Sequence, residues 1–450
     1  MVDEPVRMCP TVEYLPDGWQ VKRLGSFCTK IGTGATPRGG SEVYLNARIS
    51  HALVRSQHVF DRHFDAAGLA FISELHAREL RNAEVQSGDV LLNITGDGVT
   101  FGRSCIVPDR ILPACVNQHV SIIRPDRSEC DPGYLLSVLT HPATKGYIES
   151  FNSGGSRRAI TKGHIESFEI PLPPLPEQKT IAHILGTLDD KIELNRRMNA
   201  TLEAMARALF QSWFVDFDPV RAKLDGRPPA GLDEATAAHF PAHFQDSPLG
   251  PIPQGWEVKP MSEVIEVNPR RTLKSGAIAP YLDMKNMPTQ GHAADEIINR
   301  EFNSGTKFQN GDTLLARITP CLENGKTAFV DFLEDGQVGW GSTEYIVFAP
   351  KLPLTPEFGY YLARSDALRL HAIQNMTGTS GRQRVPSDCF SQFRFAVPPA
   401  KIAKHFGEIT KPWMTKIHAN IEQSRTLASL RDSLLPKLLS GELRTQKGDL

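Results

Sequence analysis

Two short basic segments of this chain have side chains suited to binding an anion or a nucleic acid. The first is SGGSRRAITKGH at 153–164, and the second is TGTSGRQR at 377–384. Their cationic and amide side chains are Arg157, Arg158 and Lys162 in the first segment and Arg382, Gln383 and Arg384 in the second. Backbone amides and Arg in a Gly/Ser-rich turn suit phosphate contact, while Arg and Gln can hydrogen-bond guanine and adenine in the major groove. Solvated surface turns have the same composition, so both interpretations remain open.

Motifs for catalysis are absent from the sequence. It has no GxxxxGK[ST] phosphate-binding loop, no GxSxG nucleophile turn and no [ND]PP[YF] methylation motif. His239 and His243 have a metal-like spacing, but no cysteine lies near them and we expect no metal site there. The sequence therefore predicts a protein that binds rather than one that catalyses a reaction.

Composition restricts the class of protein and its location. The chain has 450 residues with a net charge of −1, whereas a protein that binds DNA by itself usually has a clear basic excess. Any contact with nucleic acid must therefore depend on local clusters or on partner subunits. The seven cysteines form no CxxC pair, which favours a reducing cytoplasm. No apolar run reaches the ~20 residues of a membrane span, so we expect no membrane segment.

The chain repeats itself. Three phrases occur twice in the same order: LPDGWQVK at 15–22 and IPQGWEVK at 252–259, SGDVLL at 87–92 and NGDTLL at 310–315, and FEIPLPP at 168–174 and FRFAVPP at 393–399. The last pair is offset by 225 positions (393 − 168), and the two basic segments occupy corresponding places. This order predicts a duplicated unit of roughly 200 residues. Trp19 and Trp256 are expected to anchor the entry of each copy.

The sequence of each copy predicts short strands followed by one long helix that starts after a Pro-Pro pair. Apolar residues recur every 3.5 positions along both helices, which is typical of helices that pack on each other as an antiparallel coiled coil. Near the middle of each helix, polar residues replace the apolar ones in this pattern, and they are expected to fix the register in which the two helices pair. These residues are Asn195, Asn199, Asn420 and Ser424. Pro436 is expected to break the second helix near its end.

The predicted fold class is α+β, with two tandem mixed α/β domains, two long helices and a pseudo-twofold repeat. The boundaries are 1–174 for the first domain, 175–216 for its helix, 217–250 for an ordered-to-loose linker, 251–399 for the second domain, 400–442 for its helix and 443–450 for a tail.

One stretch carries a specific resemblance. Residues 172–220, LPPLPEQKTIAHILGTLDDKIELNRRMNATLEAMARALFQSWFVDFDPV, resemble the specificity subunits of type I restriction–modification systems, and SLLPKLLSGELR at 433–444 resembles their C-terminal end. The resemblance implies a noncatalytic subunit whose two target-recognition domains each read one half of a split, asymmetric site on double-stranded DNA. It also implies that the paired helices set the gap between the halves.

The resemblance further implies partners. Two methyltransferase subunits would dock on this chain, partly at Leu175, Pro176, Glu177 and Gln178, and restriction–translocase subunits would join them. The chain itself would need no cofactor, because S-adenosylmethionine, ATP and magnesium belong to those partners. The second copy departs from the pattern, with VPPAKIAKHF in place of LPPLPEQKTIAHIL, which puts equal docking at both helices in doubt. Two rival hypotheses are a coiled-coil scaffold that does not read DNA and a stand-alone nuclease or methyltransferase.

Overall fold

The computed structural model describes residues 15–96, 99–151, 158–379 and 381–444. The chain divides into two compact units, of which the first comprises Met1–Leu194 with Gln423–Leu450 and the second comprises Asn195–Glu422. Each helix of the predicted pair therefore contributes one part to each unit.

The first unit is built on two four-stranded sheets. Its strands are β1 (Gln20–Arg23), β2 (Cys28–Thr33), β3 (His51–Val54), β4 (Val59–Phe60), β5 (His63–Phe64), β6 (Ala70–Ile72), β7 (Glu84–Val85), β8 (Val90–Asn93), β9 (Thr95–Gly96), β10 (Ser104–Ile106), β11 (Ala114–Val116), β12 (Val120–Pro125), β13 (Arg158–Ala159) and β14 (Glu169–Leu172). One sheet has the order β10-β8-β12-β2 and the other β6-β3-β11-β7, in which β3 and β11 are parallel. The unbroken apolar sequence of β8 reflects burial on both faces, because Val90 and Leu92 belong to one core cluster and Leu91 to another.

The second unit repeats this topology. Its strands are β15 (Phe244–Gln245), β16 (Ile252–Pro253), β17 (Glu257–Pro260), β18 (Ile265–Val267), β19 (Ile278–Leu282), β20 (Ile298–Glu301), β21 (Thr306–Phe308), β22 (Thr313–Ala316), β23 (Thr327–Phe329), β24 (Gly339–Gly341), β25 (Tyr345–Pro350) and β26 (Arg394–Val397). The orders β23-β22-β25-β18 and β20-β19-β24-β21 match those of the first unit strand for strand, including the parallel pair β19–β24. The predicted duplication is confirmed.

The helices include two of 40 residues each. They are α1 (Glu74–Glu79), α2 (Pro132–Leu139), α3 (Pro142–Ser150), α4 (Lys162–Glu166), α5 (Leu175–Phe214), α6 (Asp218–Leu224), α7 (Glu234–Ala238), α8 (Met261–Val264), α9 (Pro356–Arg364), α10 (Asp366–Gln374) and α11 (Ala400–Leu439). The long helices α5 and α11 begin where the sequence predicts and end two to three residues before the predicted limits. Within the described ranges, no helix is long and apolar enough to cross a bilayer.

The repeated Gly-Trp phrase forms the same turn in both units. Gly18 and Gly255 adopt φ values of +88° and +80°, which favour glycine. Trp19 N–H then donates to the carbonyl of Pro16, and Trp256 N–H donates to that of Pro253, each at 3.1 Å. Both tryptophans are buried, as expected of anchors. The strand after each turn pairs antiparallel with the strand that precedes the long helix, β1 with β14 and β17 with β26.

The repeated Gly-Asp phrase is structural in both units. Asp89 accepts a hydrogen bond from Gln86 N–H at 2.7 Å and pairs with the Arg124 guanidinium at 2.7 Å. Asp312 accepts from Gln309 N–H at 2.8 Å and pairs with Arg271 at 2.8 Å. Each carboxylate thus ties a tight turn to a cation elsewhere in the same unit.

In the second unit, α5 and α11 run antiparallel. Asn195 of α5 contacts Asn420 of α11, while Phe210 and Trp213, further along α5, pack on Phe406, which is earlier on α11. In the first unit the opposite ends of the two helices pack in the same core, where Ile181 and Leu185 of α5 join Leu435, Leu438 and Leu439 of α11. The predicted pairing of the helices is confirmed within each unit.

The prediction that Pro436 breaks the second helix is wrong, because α11 continues to Leu439. Leu435, Leu438 and Leu439 are buried in the first unit, and this packing outweighs the cost of the missing proline N–H. The helix also passes through Pro412.

The segment 217–250 is more ordered than expected for a linker. It contains α6, α7 and β15, and its Val220 and Phe240 are buried in the core of the second unit beside Trp213 and Trp256. The expectation of a partly loose linker is therefore corrected, because its apolar side chains have a core to join.

Candidate nucleic-acid interface

The described part of the first basic segment, residues 158–164, lies beside the loop that follows β8. Strand β13 pairs antiparallel with β9, which places Ala159 opposite Thr95 and Arg158 opposite Gly96. The Arg158 guanidinium is 3.1 Å from the Glu149 carboxylate, and its side chain is one-third exposed. Arg157 lies outside the residues that the structure describes.

Lys162, the third cation of this segment, is in the first turn of α4. Its ammonium group is exposed and lies 3.4 Å from the Glu166 carboxylate one helical turn later. An exposed pair of this kind contributes little to stability, so Lys162 can exchange Glu166 for another anion at low cost.

The second basic segment occupies the corresponding place in its unit. The backbone of Arg384 forms isolated antiparallel β-bridges with Ile318, which follows β22, and with Thr377. The amide N–H of Thr319 donates to the Gln383 carbonyl at 3.0 Å, and Arg382 is exposed beside it. Ile318 and Thr95 correspond by the offset of the Gly-Asp phrase (311 − 88 = 223), and Arg384 and Ala159 correspond by the offset of 225.

A further residue completes each cluster and was missed by sequence reasoning. His119 precedes β12 and Glu344 precedes β25, at corresponding positions (344 − 119 = 225). The carbonyl of His119 accepts from Ile94 N–H at 3.0 Å, and the carbonyl of Glu344 accepts from Arg317 N–H at 2.9 Å. This correspondence could have been found in the sequence, since the residues just before SIIRP and those just before YIVFAP align without a gap.

The side chains at these corresponding places differ between the units. In the first unit, His119 Nδ1 is 2.6 Å from the Thr95 hydroxyl. In the second unit, Glu344 accepts hydrogen bonds from Arg384, with Nε 2.9 Å from both carboxylate oxygens and Nη2 2.7 Å from Oε1. The hydrogen bonds and the negative charge of Glu344 raise the pKa of the Arg384 guanidinium. One scaffold thus presents two different polar surfaces.

The predicted docking residues at the start of α5 differ in accessibility. Pro176 is exposed and Leu175 is half-buried, whereas Glu177 accepts a hydrogen bond from the Trp19 indole at 3.2 Å. Gln178 is buried, and its amide group contacts Asp131 N–H and the carbonyls of Glu129 and Pro173. The side chain of Gln178 therefore anchors α5 to its own unit and is not available at the surface as the docking prediction requires.

Three of the predicted register residues come together in the second unit. Asn195 Nδ2 donates to the Asn420 carbonyl at 3.3 Å, and Asn420 Nδ2 donates to Asn199 Oδ1 at 2.8 Å. Asn195 and Asn420 are buried. Ser424 is half-buried on the part of α11 that belongs to the first unit. The role of these residues in setting the register stays a prediction.

Comparison with known proteins gives one family. The model of the type I restriction modification DNA specificity domain matches residues 16–204 and again 253–424. The chain is 24% identical over 405 residues to the HindI specificity subunit of Haemophilus influenzae, covering 80% of this chain and 87% of that one. It is 22% identical to the MjaIX specificity subunit of Methanocaldococcus jannaschii, covering 96% and 95%.

Among solved structures, the chain is similar to the S subunit of a type I restriction–modification system from M. genitalium. The two share 14% of their residues over 96% of this chain and 98% of that one, with a TM-score of 0.54. At this identity the similarity concerns the fold.

Proposed function

Because the chain belongs to the family of type I restriction–modification DNA specificity subunits, we propose that it reads a two-part, asymmetric DNA sequence, one half with each unit. The observation that carries the proposal is the pair of corresponding clusters. Each brings a basic segment, a loop after a central strand and one further polar residue to the same place in a duplicated fold. The clusters differ in side chains, Thr95 and His119 against Arg384 and Glu344, which suits two different half-sites.

The long helices are proposed to set the distance between the half-sites. The contacts among Asn195, Asn199 and Asn420 support this proposal, because Asn195 and Asn420 are buried and a buried amide pairs well in one register only. A fixed register would give a fixed gap.

We further propose that the chain is noncatalytic and works with methyltransferase and restriction–translocase subunits in the cytoplasm, where the cell's DNA is accessible. S-adenosylmethionine, ATP and magnesium would be bound by those subunits. Docking would use the accessible surface at the start of α5, where Pro176 is exposed and Leu175 is half-buried. The net charge of −1 supports the need for partners, since phosphate contact must be supplemented from outside the chain.

The test is the methylated sequence in cells. Genome-wide detection of modified bases in cells that carry this chain with its methyltransferase should give one two-part motif. Deletion of this chain alone should abolish that motif. Methylation that persists unchanged after the deletion contradicts the proposal.

Substitution of the basic residues separates this proposal from the scaffold hypothesis. Replacing Arg157, Arg158, Arg382 and Arg384 together by Ala should leave assembly with the methyltransferase intact and abolish specific DNA binding. If DNA binding by the assembled complex were unchanged, a scaffold that does not read DNA would be the better account.

A further inference from the structure

The guanidinium of Arg384 has one edge occupied and one edge exposed. Guanidinium carries five N–H donors in a plane. The Nε edge and Nη2 face Glu344, while the contact of Nη1 among the described residues is a long one of 3.4 Å with the Arg382 carbonyl. The Arg384 side chain is 44% exposed, and the Nη1–Nη2 edge is the one that Glu344 does not occupy. The exposed edge is a pair of parallel donors.

Both residues of this ion pair are held by the backbone around them. Arg384 N–H donates to the Thr377 carbonyl at 2.8 Å, and Thr377 N–H donates back at 3.0 Å. Glu344 N–H donates to the Ser342 hydroxyl at 3.1 Å, and the Glu344 carbonyl accepts from Arg317 N–H. The backbone on both sides of the pair is thus held, and the two-point contact with Glu344 favours one direction of the guanidinium before any ligand arrives, which lowers the entropy lost on binding.

Two parallel donors match one base in the major groove. Guanine presents O6 and N7 as neighbouring acceptors, whereas adenine presents one acceptor and one donor at the corresponding positions. A guanidinium edge held in one direction therefore favours guanine, and the contact with Glu344 favours that direction.

The first unit has neither member of this pair. Ala159 stands at the position of Arg384, and His119 stands at the position of Glu344 and contacts Thr95. The residue types at both positions differ between the two copies, as expected of residues that act together in recognising one base.

We propose that Arg384, held in place by Glu344, reads one guanine in the half-site of the second unit, and that the corresponding place in the first unit, with Ala159, His119 and Thr95, reads a different base pair. This proposal rests on the proposed function. Arg384 is the reading residue and Glu344 is a positioning residue.

The test compares methylation motifs of variants assembled with the methyltransferase. Arg384→Ala should relax one guanine position in one half of the motif, with loss of roughly tenfold or more in discrimination. The other half should stay unchanged, which also shows that the complex is folded. His119→Ala is the matched variant of the first unit and should alter only the other half.

Two further variants separate reading from general phosphate contact and from a structural role. Arg382→Ala should lower DNA binding by the complex for all sequences and reduce its salt dependence without changing any letter of the motif. Glu344→Gln should weaken discrimination at the same guanine that Arg384→Ala relaxes, and should have no further effect when Arg384 is already Ala.

The outcomes distinguish this proposal from the proposed function. A two-part motif that keeps every guanine in Arg384→Ala, or that degrades equally in both halves, overturns the reading role of Arg384 but leaves the function standing. Absence of any motif that depends on the unaltered chain overturns both.

Discussion

His292 is a buried cation between two carboxylates of the second unit. Its Nδ1 is 3.7 Å from Glu203 of α5, its Nε2 is 3.4 Å from Asp331, and its side chain is fully buried. Burial disfavours the charged imidazolium, but contact with Asp331 and Glu203 outweighs burial and raises the pKa to about 9. Around them, Tyr360 donates to Glu203 at 2.9 Å and His418 approaches Asp331 at 3.9 Å.

This environment predicts a pH dependence of stability. Because the pKa of His292 is higher in the folded state than its ordinary value of 6.5, its contribution is complete below about pH 6.5 and is lost as pH rises through about 9. The free energy of unfolding should fall over that interval by an amount on the order of 3 kcal/mol. Denaturant unfolding at a series of pH values measures it. His292→Gln should remove the slope, whereas the exposed His239→Gln should retain it; an equal slope in His292→Gln would contradict the assignment.

The environment of Asp312 allows a prediction of how much one Gly-Asp turn contributes to the free energy of unfolding. Burial raises the pKa of this carboxyl, even though Gln309 N–H and Arg271 donate to it. Asp312→Asn should destabilise the chain by about 2 kcal/mol, because Asn has one acceptor oxygen in place of two and leaves either Gln309 N–H or the Arg271 guanidinium without its partner. Thermal unfolding is the measurement. Asp225→Asn removes an exposed pair with Arg227 and should change little; equal losses in both variants would mean that burial of the turn carboxylate is unimportant.

At the scale of the element, α11 contains a proline that its packing tolerates. Pro412 is exposed and cannot donate to the Glu408 carbonyl, while Met414 and Ile417 on the other face are buried. Pro412→Ala should therefore raise the free energy of unfolding by about 1–3 kcal/mol. Thr415→Ala, on the same exposed face, is the control and should be nearly neutral. A decrease in stability would indicate that Pro412 has a packing role.

The asparagine contacts between α5 and α11 make a prediction about specificity rather than stability. Replacing both Asn195 and Asn420 by Leu should leave the unfolding temperature unchanged or raise it, because buried amides cost stability relative to apolar residues. The same variant should methylate sites with more than one gap between unchanged half-sites. The exposed Thr201→Leu should keep the single gap. One unaltered gap in the double variant would show that other contacts fix the register.

At the scale of the whole molecule, the net charge of −1 predicts dependence on partners for DNA affinity. The purified chain alone should bind DNA weakly, and the complex with its methyltransferase should bind more tightly with a steeper salt dependence. Titrations of labelled DNA at several salt concentrations measure both quantities. Equal affinity and equal salt slope with and without the partner would contradict this expectation.

The sequence predicted features that depend on local patterns and not those that depend on distant contacts. The Gly-Trp turns, the duplication and both long helices follow from repeated phrases and a 3.5-residue period. The correspondence of Glu344 with His119 could be found by alignment, but the contact of Glu344 with Arg384 could not, because the two residues are 40 positions apart and are brought together by β22 and β25. Likewise, α11 continues past Pro436 because Leu435 and Leu438 are buried in the first unit. The burial of Gln178 depends on its contacts with Asp131 and Glu129, which are distant in sequence.

The pairing of β1 with β14 has a consequence for inheritance. Gln20 lies opposite Leu172, so the entry and exit of the first recognition domain are neighbours in one short ribbon, and Glu257 lies opposite Val397 in the second. A segment exchanged between two genes at these points would carry a complete domain whose ends already meet. Recombination at these points would therefore move one whole domain at a time, provided that its core still fits the α5 and α11 residues that pack in it, such as Ile181 and Leu438.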